Sequence, residues 1–103
     1  MGQRAVFLDR DGVIIAEVNY LRRVEQMRVL RGTPEGISLL RRAGFKVVMI
    51  SNQSGVARGY VTRKALARIH RELGRRLRVS GAALDAVYYC PHHPDAACRC
   101  RKP

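Results

Sequence analysis

Val6-Phe7-Leu8-Asp9-Arg10-Asp11-Gly12 is an apolar run that breaks off at two carboxylates one residue apart. Burying a charge without a partner is costly, so a buried strand that stops at a carboxylate pair usually stops at a site. In an α/β sheet such sites lie just outside the carboxyl ends of the strands. Alternate residues on an extended backbone point the same way, so Asp9 and Asp11 can face one substrate. One can then serve as nucleophile and the other as acid/base. Gly12 lets the chain turn away. A plain strand end followed by a polar turn fits the same seven residues, and the rest of the chain weighs between the two readings.

Outward from this stretch, residues 4–9 form a first strand and residues 13–31 are irregular, with Tyr20 and Leu21 as anchors. Thr33 suits an N-cap and Pro34 the first helical position. Ile37, Leu40 and Ala43 supply an apolar stripe and Gly44 a C′ residue. Lys46 to Ile50 is a second strand, ending at Ser51-Asn52-Gln53-Ser54-Gly55. Thr62 caps a longer helix to about Val79, on which Leu66, Ile69, Leu73 and Leu77 share one face. Asp85 to Tyr89 is a third strand that runs into Cys90. The β-α-β-α-β order predicts a Rossmann-like α/β fold, a parallel sheet covered by helices on both faces, with all three strand ends on one edge. No linker or repeat divides residues 1–103, which read as one domain.

The 103 residues carry 20 Lys and Arg against 8 Asp and Glu, a net charge of +12. That balance admits nucleic acid, an anionic membrane surface or a phosphorylated substrate. Nearly all the excess is Arg. No apolar run approaches the ~18 residues of a membrane span, and the first residues enter a strand without a signal-peptide pattern. The expectation is a cytoplasmic protein with no membrane partner.

The turn after the second strand offers the hydroxyls of Ser51 and Ser54, the amides of Asn52 and Gln53, backbone N–H groups and, at Arg58, a guanidinium. Such a set can cradle a phosphate. Beside two carboxylates it gains weight, because phosphoryl transfer needs donors around the transferring group as well as a nucleophile. Cys90, His92, Cys98 and Cys100 are three thiols and an imidazole within eleven residues. They fit a tetrahedral Zn2+ site with no open position, hence a structural one, in a loop over residues 90–100. His93 is the rival to His92. Arg101 and Lys102 follow the last thiol, where a pinned loop can aim them at a phosphate. Lys64, Arg68, Arg71, Arg75 and Arg78 form a basic stripe that reads as a solvated face. No aromatic residues interleave with it for base stacking, so a nucleic-acid partner is not favoured. His70, on the same helix, has no assigned role.

Taken together, Phe-Leu-Asp-Arg-Asp-Gly, Ser-Asn-Gln-Ser-Gly-Val-Ala-Arg-Gly, Tyr-Tyr-Cys-Pro-His-His-Pro and Cys-Arg-Cys-Arg-Lys-Pro resemble the D-glycero-D-manno-heptose 1,7-bisphosphate phosphatases. Those enzymes and the related histidinol-phosphate phosphatases belong to the haloacid-dehalogenase superfamily. The resemblance spans the chain. It implies hydrolysis of a small phosphorylated sugar, with loss of the 7-phosphate through an aspartyl-phosphate on Asp9. Asp11 would protonate the leaving oxygen and then activate water. Asp9 and the Asp11 carbonyl would hold Mg2+. Ser51 would bind the phosphoryl group with Asn52, Gln53 and Ser54 beside it, Lys102 would neutralise its charge, and Arg101 would recognise substrate. Glu17, Val18, Asn19 and Tyr20 align with a substrate-contacting segment, and Cys90, His92, Cys98 and Cys100 with zinc ligands.

Two departures stand out. Ile15 replaces an Asn common in the family, and Glu17 and Val18 stand where some members carry Asp and His. The family also continues past Lys-Pro with two more strands and a fourth, acidic motif. The resemblance therefore implies a C-terminally incomplete phosphatase domain, weakly active or inactive and poorly stable by itself, and monomeric at full length. Histidinol phosphate is the second substrate choice. A non-catalytic zinc-binding fragment with a basic RNA-binding face is the alternative of a different class.

Overall fold

The structure, a computed structural model, describes residues 4–92. Strand β1 spans Arg4–Asp9, helix α1 Thr33–Arg42, strand β2 Phe45–Asn52, the short helix α2 Ser54–Ala57, helix α3 Arg63–Val79 and strand β3 Ala86–Cys90. The strands form one parallel sheet in the order β1-β2-β3. Because the sheet is parallel, Asp9, Asn52 and Cys90 all end at the same edge, as the sequence predicts. Among the described residues no helix is long and apolar enough to cross a membrane.

The coverage of the sheet differs from expectation. Leu8 pairs with Met49 and Val6 with Val47, and alternation puts these side chains on one face. Val47 and Met49 share a single buried cluster with Ile37 of α1 and with Ile69, Leu73 and Leu77 of α3. Both long helices therefore pack on that face. On the opposite face Phe7 is 61% exposed and Tyr88 63%. Helices on both faces are thus corrected to helices on one face among the described residues. The reason is topological. With strand order β1-β2-β3, both crossovers step in the same direction, and right-handed crossovers that step the same way lay their helices on the same side.

Helix α3 matches its sequence signals. Thr62 Oγ1 accepts from the Ala65 N–H at 3.0 Å, and Leu66, Ile69, Leu73 and Leu77 are all buried. The basic side chains Lys64, Arg68, Arg71, Arg75 and Arg78 are exposed, with Arg75 paired to Glu72. Helix α1 starts differently from its prediction. Gly32, with φ of 87°, occupies the N-cap, while the Thr33 hydroxyl donates to the Val13 carbonyl at 3.0 Å. A left-handed residue was needed to turn the chain, and glycine adopts that conformation without a Cβ penalty.

The segment read as irregular contributes much of the core. Ile14, Ile15, Leu21 and Met27 are buried in the same cluster. The segment doubles back on itself: Leu30 N–H donates to the Ile14 carbonyl at 2.9 Å and Ala16 N–H to the Arg28 carbonyl at 2.8 Å. Arg76 of α3 ties it down by donating from Nη1 to the Met27 carbonyl at 2.8 Å. Ile15, the departure noted above, is fully buried here and serves packing. Leu73 is completely buried in the middle of this cluster. Leu73→Ala removes a side chain that the surrounding helices and sheet cannot replace. We expect a loss of about 2–5 kcal/mol, read as a lower denaturant midpoint at unchanged slope.

Candidate active site

At the carboxyl edge of the sheet, a cleft of about 170 Å³ has three walls. Arg10 and Asp11, just past β1, form one. Glu17 to Leu21 form the second, and Asn52 to Gly55, at the end of β2 and the start of α2, form the third. Segments some thirty residues apart in sequence meet here because β1 and β2 are adjacent and parallel. Of the residues singled out from sequence, Asp11, Glu17, Val18, Asn19, Tyr20, Asn52, Gln53 and Ser54 line this one cleft. Asp9 is the last residue of β1, paired with Ile50, immediately before it. His93, Cys98, Cys100, Arg101 and Lys102 lie outside the described residues.

The Asp11 carboxylate is held from two sides. Arg10 donates from Nε to Oδ1 at 3.0 Å and from Nη2 to Oδ2 at 3.2 Å, a two-point fork. Gln53 donates from Nε2 to Oδ2 at 3.2 Å and also donates to the Ser51 hydroxyl. Ser51 and Gln53 are both buried, so the two motifs are joined through a buried polar chain. One backbone donor expected for an anion is already used: the Gln53 N–H donates to the Cys90 carbonyl at 2.7 Å. Arg58 caps α2 and is exposed, away from the cleft lining. The guanidinium of this site is Arg10, to which the sequence reading assigns no role. Arg10 is only 2% exposed.

Tyr20 is a non-glycine residue at φ of 54°, a conformation that costs about 1–3 kcal/mol unless its surroundings hold it. Its ring lies against Tyr60, centroids 4.7 Å apart, and the Arg22 guanidinium sits 5.7 Å from the centre of the Tyr60 ring. Gly55 leaves room for Tyr20: a Cβ there would come within 3.0 Å of its Cδ1. The wall from Glu17 to Tyr20 is thereby pressed against the turn after β2.

Of the donors named from sequence for two metals, the described residues include Asp9 and Asp11 for one and Cys90 and His92 for the other. The Asp9 carboxylate and the Asp11 carbonyl are hard oxygen donors of the kind Mg2+ takes. The Cys90 sulfur and His92 Nδ1 are 3.6 Å apart. Two ligands of one tetrahedral zinc, at ~2.3 Å for sulfur and ~2.0 Å for nitrogen, would stand at about that separation. Among the described residues no group of three or more His, Cys, Asp or Glu side chains is gathered to hold a metal; Cys98 and Cys100 are outside that set. Cys90 is fully buried, and the Ala57 N–H donates to the Pro91 carbonyl at 3.1 Å, so the start of this loop is tied to α2.

No family model matches the chain. It is 38% identical to the D-glycero-beta-D-manno-heptose-1,7-bisphosphate 7-phosphatase of Photorhabdus laumondii, over 99% of this chain and 58% of that protein. It is 34% identical to the "Probable D-glycero-D-manno-heptose-1,7-bisphosphate 7-phosphatase" of Thermoplasma volcanium, over 97% of this chain and 68% of that one. Its fold superposes on the D,D-heptose 1,7-bisphosphate phosphatase of B. bronchiseptica, solved with magnesium and phosphate. The TM-score is 0.89 at 38% identity, covering 97% of this chain and 56% of that one. The chain thus spans little more than half the length of most of these relatives. With the carboxylate pair, the polar turn after β2 and the buried chain between them all in place, the chain belongs to the D-glycero-D-manno-heptose 1,7-bisphosphate phosphatase family.

Proposed function

We propose that the whole protein hydrolyses the 7-phosphate of D-glycero-D-manno-heptose 1,7-bisphosphate. The observation that carries the reading is the cleft in which Asp11, the turn from Asn52 to Ser54 and the segment Glu17 to Tyr20 meet. Asp9, at the strand end, attacks phosphorus; the P–O bond to the sugar breaks as the aspartyl P–O bond forms. Asp11 gives its proton to the departing sugar oxygen. It then takes a proton from water as that water attacks the aspartyl-phosphate, releasing inorganic phosphate and restoring Asp9. Ser51, with Asn52, Gln53 and Ser54 beside it, receives the phosphoryl oxygens. Lys102 neutralises their charge, and Arg101 and the segment Glu17 to Tyr20 select the sugar. Asp9 and the Asp11 carbonyl would hold Mg2+, which would supply further neutralisation of developing charge. Cys90, His92, Cys98 and Cys100 would hold a structural Zn2+, pinning the loop ahead of Arg101 and Lys102.

The test is phosphate release by the whole protein with Mg2+, comparing the heptose bisphosphate with histidinol phosphate. We expect kcat/KM to favour the heptose bisphosphate by at least about 100-fold, the discrimination that unpaired polar contacts to the wrong substrate can supply. Equal turnover of the two, or a preference for histidinol phosphate, overturns the assignment of substrate. A variant probes the sugar-facing wall. Gly55→Ala forces Tyr20 outward, so KM should rise about tenfold while kcat changes little. An unchanged KM would remove Tyr20 from the binding surface.

A further inference from the structure

His70 is a partly buried titratable side chain that the mechanism above does not use. It lies on α3, sixty residues from Arg10, and its Nε2 is 3.2 Å from Arg10 Nη1. A guanidinium has only donors, so Nε2 must be the acceptor and the ring proton must sit on Nδ1. Burial, and next the Arg10 charge, push the imidazole down to about 4, with Asp11 opposing. The ring is therefore neutral at neutral pH, as an acceptor must be. Tyr89 of β3 meets it edge-on, centroids 5.8 Å apart and planes at 65°.

Arg10 thus has two partners on two edges. Its Nε and Nη2 fork the Asp11 carboxylate, and Nη1 is fixed by His70. A buried guanidinium with one unfixed edge can swing about its stem. The second contact removes that freedom and sets the plane of the fork. The plane of the fork in turn sets how the Asp11 carboxylate stands against Gln53.

We propose that His70 is a positioning residue, a neutral acceptor that locks Arg10 so that Asp11 is held in the orientation needed for proton transfer. The proposal rests on the phosphatase reading, in which Asp11 is the acid/base. It predicts a dependence of turnover on α3, an element that contributes nothing to the lining of the cleft.

The test uses the whole protein and three variants. His70→Leu fills the space but accepts nothing; His70→Gln keeps an acceptor. We expect His70→Leu to lower kcat about tenfold or more, with KM within about twofold of wild type. His70→Gln should recover most of that loss. Equal losses in both variants, following their thermal midpoints, would make His70 a packing residue and overturn the proposal; so would an unchanged kcat in His70→Leu. A measurement without turnover guards against misfolding of either variant. The 15N spectrum of the wild-type imidazole should show a bare Nε2 and a protonated Nδ1 at pH 7. A protonated Nε2 overturns the proposal outright. Wild-type turnover that is absent, or that survives Asp9→Asn, would count against the phosphatase reading, while the 15N spectrum still decides the contact to Arg10.

Discussion

Asp9→Asn is expected to abolish turnover, lowering kcat by at least about 10³-fold. The amide is nearly the same size as the carboxylate, so β1 and its pairing with Ile50 are kept. What is lost is the anionic oxygen that attacks phosphorus. Because the covalent intermediate would form on this residue, removing it blocks the reaction at its first step. The check is phosphate release by the whole protein with saturating Mg2+, together with trapping by beryllium fluoride and Mg2+, which should place the adduct on Asp9. An adduct on Asp11 would exchange the two roles. Asp9 takes the nucleophile's role in the proposal because it ends β1, paired with Ile50, beside the turn after β2 that would receive the phosphoryl group.

The second large effect concerns the loop after β3. The proposed site predicts one zinc per chain in protein purified without chelator. Cys98→Ser should reduce that to none, and Cys90→Ser should do the same. Loss of a structural zinc removes binding energy that is also folding energy, about 10 kcal/mol or more in the smallest zinc domains. In a chain that also has a packed core the loss should be smaller but still large, seen as a fall in thermal midpoint and as sensitivity of the wild type to chelators. Cys90 is itself fully buried, so a hydroxyl there is costly whether or not a metal is bound. The zinc count in both variants, read beside the thermal midpoint, therefore decides the ligand set. Full zinc in Cys98→Ser would overturn the ligand set. His92→Ala and His93→Ala separate the rival imidazoles: only the first should lose metal.

Much of this protein is legible from local sequence. Thr62 caps α3 and Leu66, Ile69, Leu73 and Leu77 line its buried face because capping and helical periodicity operate over a few residues. The two carboxylates at the end of β1 and the polar turn after β2 are equally local signals. Their meeting in one cleft follows from parallel strands being neighbours. The α1 start was misread, with Thr33 in place of Gly32, because a cap depends on the direction from which the chain arrives. Leu21 is buried as the anchor the sequence suggests, whereas the buried contribution of Ile14, Ile15 and Met27 is not legible because those residues follow neither a helical nor a strand period.

By itself the sequence determined the order of strands and helices, the edge on which chemistry is placed and the residue types gathered there, since each depends on patterns within one segment. Only the tertiary structure decided which face of the sheet the helices cover, because that depends on the direction in which successive crossovers step. It alone also decided the fate of Arg10. Next to Asp11 in sequence, Arg10 carries no local signal of burial, but His70 reaches it from α3, sixty residues on, and a buried guanidinium is tolerated only where such partners converge.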